Sequence, residues 1–394
     1  MKLTVVIVSY NVCHYILQCL DSLKTALDGV DGEVVVVDNH SHDDSVEMIR
    51  KHHPEVEVVV NLHNLGFAKA NNIALRQSRS EYVLLLNPDT IVAENTIRDA
   101  IAFLDRHLDS GAAGVKMLNV DGTVAPESRR GVPTPMTSFY KLSGLCSMFP
   151  HSRRFGRYYL GHLPWTTPQE IDIVSGAFCL LRRSVVEKVG LLDEDYFMYG
   201  EDIDLSYRIL KYGATNWYLP YTIMHYKGES THKSSFRYVH VFYQAMLIFF
   251  RKHFAHLGLL VTVPVKLAIW FKAFIALIVM LSSRMHRSLG FVERNNSYSN
   301  FNYACVGSQK MIDRCEEICR KQGLKASFCE MSSPIYINKV ETMLTPSTIL
   351  VFDPEVFSYG TMLAFMHEHS EKGALLGTFQ PSTNSIITNM EIIR

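Results

Sequence analysis

The chain has 394 residues, long for one domain and comfortable for two, each with a sizeable core. Apolar residues make up 47% and charged residues 20%, which excludes a disordered polymer. Lys plus Arg equals Asp plus Glu at 39 each, so no basic excess points to a nucleic-acid partner. The eight cysteines show no paired metal-ligand spacing, and Met1-Lys2 leads into a strand without a secretory signal. Reduced thiols in a cytosolic compartment are the expectation.

In chain order, Leu3–Ser9 is a continuous β-branched apolar run, the pattern of a strand buried on both faces. Tyr15–Leu27 has helical spacing, and Glu33–Val37 is a second strand ending in Asp38. Ser41–His52 is expected to be a helix with Ser41 as N-cap and Asp43 and Asp44 in its first turn. Val56–Val60 is a third strand, Phe67–Gln77 a helix and Glu81–Leu86 a fourth strand. Such alternation implies a mainly parallel sheet covered by helices, with ligands at the carboxyl ends of its strands. Ser9, Asp38, Asn61 and Asn87 all lie at those ends and should converge on one crevice.

Asp121-Gly122 marks a hairpin turn. Ser128 through Gln169 has no acidic residue and carries Arg129, Arg130, Lys141, Arg153, Arg154 and Arg157, punctuated by prolines; it is expected to be a long, partly mobile loop. Ile171–Val174 and Ala177–Leu181 are strands, and Glu201–Tyr212 is a helix that Gly213 can end. Trp217–Leu219 leads towards His225, and Phe236–Phe254 is a long aromatic helix. Leu257–Leu281 holds fifteen Leu, Ile, Val or Phe residues but also Pro264, Lys266 and Lys272. Each apolar residue favours insertion by about 0.3–0.6 kcal/mol and each lysine opposes it by about 2.5–3.5 kcal/mol, so a segment lying in the membrane interface is favoured over a span. A buried helix pair is the plainer alternative. After a polar linker, Asn295–Asn302, a second alternation of strands and helices forms a small α/β unit. The expected division is 1–255, 256–294 and 295–394.

The chemistry gathers at a few points. Asn87-Pro88-Asp89 ends the fourth strand, Tyr199-Gly200-Glu201-Asp202 opens a helix, and His225 follows. A strand-end carboxylate, a second acidic pair and a later histidine can build one divalent-metal and general-base site. Asp38 can accept hydrogen bonds from ribose hydroxyls or a base N–H, or simply cap a helix. Gly66, between Asn64 and Asn71, sits where a backbone can approach a ligand, or marks an ordinary turn. Gly176 can be a close-approach wall or a packing glycine.

Val-Ser-Tyr-Asn at 8–11, Asp38-Asn39 with Ser41 and Asp43, Asn64 with Gly66-Phe67, Leu86-Asn87-Pro88-Asp89 and Gly200-Glu201-Asp202 with Asp204-Leu205 occur in this order. This series resembles the family 2 glycosyltransferases, inverting enzymes of the GT-A fold that use nucleotide sugars, and is closest to their rhamnosyltransferase-like branch. The resemblance covers about residues 1–255. It implies that Ser9, Tyr10, Asn11 and Asp38 hold the nucleoside and that Asn64, Gly66 and Asn71 shape the donor pocket. Asp89 matches the last acid of the family's metal motif and would bind Mg²⁺ or Mn²⁺, with His225 as a further ligand. Asn87 stands where the family has its first acid, which removes one negative charge from the metal site. Asp202 matches the catalytic base, and Glu201 beside it would order the acceptor.

The expected reaction is transfer of a sugar from a nucleoside diphosphate sugar to a growing glycan, lipid-linked, for surface polysaccharide. The setting is the cytoplasmic side of a membrane. The acid-free basic stretch, with Phe139, Tyr140, Phe155, Tyr158 and Tyr159, is suited to an acceptor pyrophosphate at an anionic membrane surface, or is a solvated loop. Two rivals are a sugar nucleotidyltransferase and an inactive glycan-binding scaffold. The first needs a glycine-rich basic loop after the first strand, and Ser9–Leu20 has no glycine, lysine or arginine.

Overall fold

β1 (Leu3–Ser9) is buried along its whole length, and this fixes it at the centre of a sheet. The structure, a computed structural model, describes residues 1–226, 236–255 and 300–394 and positions 263, 267, 270 and 278. The expected interfacial segment Leu257–Leu281, those positions apart, lies outside the described residues, as does most of the linker.

The first half runs β1, α1 (Cys13–Ala26), β2 (Gly32–Asp38), α2 (Ser45–His52), β3 (Glu57–Val60), α3 (Phe67–Gln77), β4 (Tyr82–Leu86), β5 (Thr90–Val92), α4 (Thr96–Arg106) and β6 (Ser110–Leu118). It continues with α5 (Pro135–Leu142), α6 (Leu145–Met148), β7 (Gln169–Ile171), β8 (Phe178–Arg182), α7 (Arg183–Val189), α8 (Glu201–Tyr212), β9 (Thr215–His225) and α9 (Phe236–His253). The sheet order is β3-β2-β1-β4-β8-β6-β9-β5, with β7 beside β9. β3, β2, β1 and β4 are parallel, and β8 joins β4 antiparallel. One apolar cluster packs α1 and α4 on one face, and another packs α3, α7 and α8 on the other.

Three expectations change. α2 begins at Ser45, because Asp43 accepts hydrogen bonds from Ser45 N and Oγ and from Cys13 N and so holds the preceding turn outside the helix. The stretch 128–169 is not one long loop: α5 starts at Pro135, and the Thr134 side chain before it caps the helix by accepting from Thr137 N. The strands expected at Ile171–Val174 and Ala177–Leu181 occupy Gln169–Ile171 and Phe178–Arg182.

The second sheet has the order β11 (Lys325–Glu330), β10 (Asn302–Gly307), β12 (Thr348–Phe352), β13 (Leu375–Gln380), β14 (Ser385–Ile387) and β15 (Ile392–Ile393). Helix Gln309–Gln322 covers one of its faces. The other face shares a core with the first half, where Phe352, Phe357 and Leu363 meet Tyr15, Ile91 and Met224.

Candidate active site

The carboxyl ends of β1 and β2 lie side by side, with Ser9 opposite Asp38 in register. Asn39, the next residue, ties the loop after β2 to the loop after β3. Its Nδ2 donates to Asn64 Oδ1 at 3.0 Å, and its Oδ1 accepts from Asn61 Nδ2 at 3.2 Å and Leu65 N at 2.9 Å. Gly66 has φ +85°, and a Cβ there would lie 2.5 Å from the Phe197 carbonyl oxygen. The close approach that demands glycine is to the protein's own backbone, where Phe67 N donates to that carbonyl at 2.7 Å.

β5 and β9 pair antiparallel and bring Thr90 opposite His225. His225 Nε2 therefore lies 3.1 Å from Asp89 Oδ1 and 3.2 Å from Asn87 Nδ2. Asp89 and Asn87 stand at the end of the strand–turn Leu86–Asp89, while His225 comes from 136 residues downstream of Asp89. The sheet, not the local sequence, assembles this group.

α8 presents its N-terminus to the same space. Tyr199 and Gly200 both have positive φ, which turns the chain sharply into the helix. Asp202 Oδ2 accepts from Arg130 Nη2 at 2.5 Å and from Gly176 N at 3.1 Å, and Oδ1 accepts from Ile203 N at 2.8 Å. A carboxylate offers about four lone-pair sites, so one remains for another donor. Both members of the Arg130–Asp202 pair are largely buried, at 12% and 15% exposure. Glu201 is buried beside it, with Oε2 lacking a hydrogen-bond partner. Burial and the neighbouring Asp202 charge push Glu201 up to about 8.

These groups line one cavity of about 390 Å³, a size usual for small-molecule sites. Tyr10, Asn64 and Gly66 face it from the strand-end loops; Asn87, Asp89 and His225 from the β5–β9 side; Gly176, Glu201 and Asp202 from the α8 side. Five expected residues are not on its wall, and one of them, Asn61, is buried with its Nδ2 on Asn39. Ser9 and Asp38 lie behind Asn39, and each keeps a buried oxygen without a hydrogen-bond partner. Asn11 links two loops, its N donating to Ser41 Oγ and its Oδ1 accepting from His42 N. Asn71 caps nothing outside its helix and donates to Phe67 O at 2.9 Å. A Cβ on Gly176 would make ordinary 3.5 Å contact with Asp202, so its contribution is the N–H rather than missing bulk.

Three wall contributions were not anticipated as such: Asn39, Arg130 as partner of Asp202, and the α9 side chains Phe242, Met246 and Phe249. Arg130 was visible as a charge in an acid-free stretch, but its partner lies 72 residues away. Of the six cations of the basic stretch, Arg130 and Lys141 reach the cavity; Arg129, Arg153, Arg154 and Arg157 do not.

Among the described residues no three His, Cys, Asp or Glu side chains gather as a metal cluster. Asp89 and His225 offer one hard oxygen and one imidazole nitrogen at one spot, which suits Mg²⁺ or Mn²⁺ only if a ligand supplies further oxygens.

Residues 4–190 match the family model described as glycosyl transferase family 2. The match contains Tyr10 through Gly176; Glu201, Asp202 and His225 lie beyond it. The chain is 27% identical over 269 residues to N-acetylglucosaminyl-diphospho-decaprenol L-rhamnosyltransferase of Mycobacterium tuberculosis, covering 63% of this chain and 83% of that one. It is 25% identical over 278 residues to rhamnosyltransferase WbbL of Escherichia coli K12, covering 60% and 91%. Among solved structures, S. aureus TarS 1-349 aligns with a TM-score of 0.41 at 23% identity over 63% of this chain; the chain spans 64% of that structure.

Proposed function

This chain belongs to the family 2 glycosyltransferases, and on that premise we propose that it moves a sugar from a nucleoside diphosphate donor to a glycan acceptor, with inversion. The observation that carries the reading is the shared cavity, where Tyr10 and Asn64, Asp89 and His225, and Asp202 line one space.

In this reading Asp202 is the general base. It holds a site open for an acceptor hydroxyl while Arg130, Gly176 N and Ile203 N fix its orientation. As the acceptor oxygen bonds to the anomeric carbon, its proton passes to Asp202, and the bond from that carbon to the diphosphate breaks on the opposite face. Glu201, pushed up to about 8 by burial and the neighbouring Asp202, keeps its proton near neutral pH and adds no charge of its own at the reacting centre. Asn39, Asn61 and Asn64 brace the two loops after β2 and β3, and the unpaired Asp38 oxygen at the end of β2 is assigned to the nucleoside. Asp89 and His225 would hold a divalent cation, which when bound neutralises charge growing on the leaving diphosphate.

The relatives named as rhamnosyltransferases, one of them an N-acetylglucosaminyl-diphospho-decaprenol L-rhamnosyltransferase, support a hexose or deoxyhexose donor and a lipid-linked acceptor. We place the reaction in surface polysaccharide synthesis at the cytoplasmic side of a membrane. Among the described residues no helix is long and apolar enough to cross a membrane. Peripheral attachment is the form proposed. The catalytic unit would be 1–255, with 295–394 as a second small unit packed against it.

The test is release of nucleoside diphosphate by the purified full chain from a panel of nucleotide sugars, with Mn²⁺, with Mg²⁺ and with chelator. One donor should turn over, faster with metal, and Asp89→Ala should lose that metal stimulation. No turnover of any donor with metal present would leave a non-catalytic glycan-binding role.

A further inference from the structure

We propose that the layer formed by α5, α6 and residues 149–157 is a docking surface for an anionic phospholipid bilayer, set directly against the catalytic cavity. Its use rests on the lipid-linked reading of the acceptor; its existence rests on its own chemistry.

α5 has two faces. Ser138, Lys141 and Leu142, spaced as one helical stripe, line the cavity. Met136 and Phe139 point away from it and are 57% and 55% exposed. Met148 and Phe149, at the end of α6, are 69% and 48% exposed. The rings join up: Phe139 meets Tyr140 at 6.1 Å between centroids, Tyr140 meets Phe155 at 5.0 Å, and Phe155 meets Phe149 at 5.7 Å. A soluble surface seldom leaves large apolar side chains in one connected patch without a partner.

Charge says which partner. Residues 128–169 contain no acid. Of their six cations, Arg129 is buried against Trp165, Arg130 is paired with Asp202 and Lys141 lies over the Tyr158 ring. The three left at the patch are Arg153, Arg154 and Arg157, all exposed. Arg154 is braced in the aromatic row, its Nε donating to Tyr140 OH at 3.1 Å. Aromatic and Met side chains that enter the headgroup layer, beside three exposed cations in a segment without acids, match an anionic bilayer. A protein partner would ordinarily be met by charges of both signs. Val263, Leu267, Trp270 and Ile278, the described positions between 256 and 299, are likewise apolar and exposed. A bilayer on this face would bring the headgroup end of a lipid-linked glycan to the wall formed by Lys141 and Tyr158.

The experiment is sedimentation of the full chain with vesicles of phosphatidylcholine alone or mixed equally with phosphatidylglycerol, for the parent and two variants. The parent should bind the mixed vesicles. The Arg153→Glu/Arg157→Glu pair should weaken that binding by at least about ten-fold, since each basic side chain near an anionic surface counts strongly. Phe139→Ser/Phe149→Ser should weaken binding to the mixed vesicles by a similar factor. Hydrolysis of the donor in solution should stay within two-fold of the parent in both. If the apolar variant does not fold, the charge variant, altered only at exposed side chains, still decides. A parent that ignores anionic vesicles, or a charge variant that binds them like the parent, overturns the proposal and turns the face towards a protein. Vesicle binding needs no sugar donor, so this can fail while donor turnover stands, and the reverse.

Discussion

Glu201 and Asp202 are neighbours in the chain and opposites in environment. Asp202 is held by a guanidinium and two backbone N–H groups, whereas Glu201 is enclosed with an unpaired oxygen and titrates near 8. Because this folded value lies above that of an exposed glutamate, folding is unpenalised below the unfolded value near 4.5. Stability then falls as pH rises and the loss is complete once pH passes about 8. Glu201→Gln should therefore melt with the parent near pH 4.5 and increasingly above it up to about pH 8, a gap on the order of a few kcal/mol. Melting curves across that range check it; parallel curves would mean that Glu201 ionises freely. Arg130 has a different cost. Removing it would leave Asp202 enclosed without its counter-charge, so its loss would affect stability and chemistry together.

At the scale of elements, the decisive joints are the short loops that carry strands into helices. Gly66 starts α3 in a conformation, φ +85° and ψ 172°, that L residues avoid, and it presses on Phe197 just ahead of α8. Gly66→Ala should cost at least about 1–3 kcal/mol in urea denaturation; a change under about 0.5 kcal/mol would show that the two loops are not locked together. Much of this layer was legible in the chain. β1, α3 and α8 follow directly from continuous burial or helical spacing with a glycine stop, and Asp89 and Asp202 from strand-end and helix-start positions. β6 was not legible, because Ser110-Gly111-Ala112-Ala113-Gly114 has weak strand propensity and is held only by its neighbours β8 and β9. α5 was hidden by prolines, which punctuate a helix start as readily as a loop. Arg130's role was out of reach for the same reason as β6: its meaning lies in a partner that only the folded sheet supplies.

Across the whole molecule, the second sheet is built onto the first rather than hung from it. Glu94 accepts hydrogen bonds from Tyr359 N at 2.7 Å and Gly360 N at 2.8 Å, where helix Tyr359–Glu368 begins. Tyr15 OH donates to Thr388 O at 2.7 Å, and Leu376 N to Val120 O at 2.8 Å. Gly122, in the turn after β6, faces the Met366 carbonyl so closely that a Cβ would sit 1.9 Å from it. Ile91, Met224 and Tyr226 enter the shared core, so the second sheet braces the β5–β9 pair that places Asp89 beside His225. In the proposed function these distant elements surround one sugar nucleotide, with Asp202 positioned to act on its acceptor. The most direct measurement pairs donor affinity, by calorimetry, with the transfer rate for Asp202→Asn. Donor binding should stay within about two-fold of the parent while the rate falls by about a hundred-fold or more. A variant that transfers sugar at near the parental rate would contradict that role for Asp202.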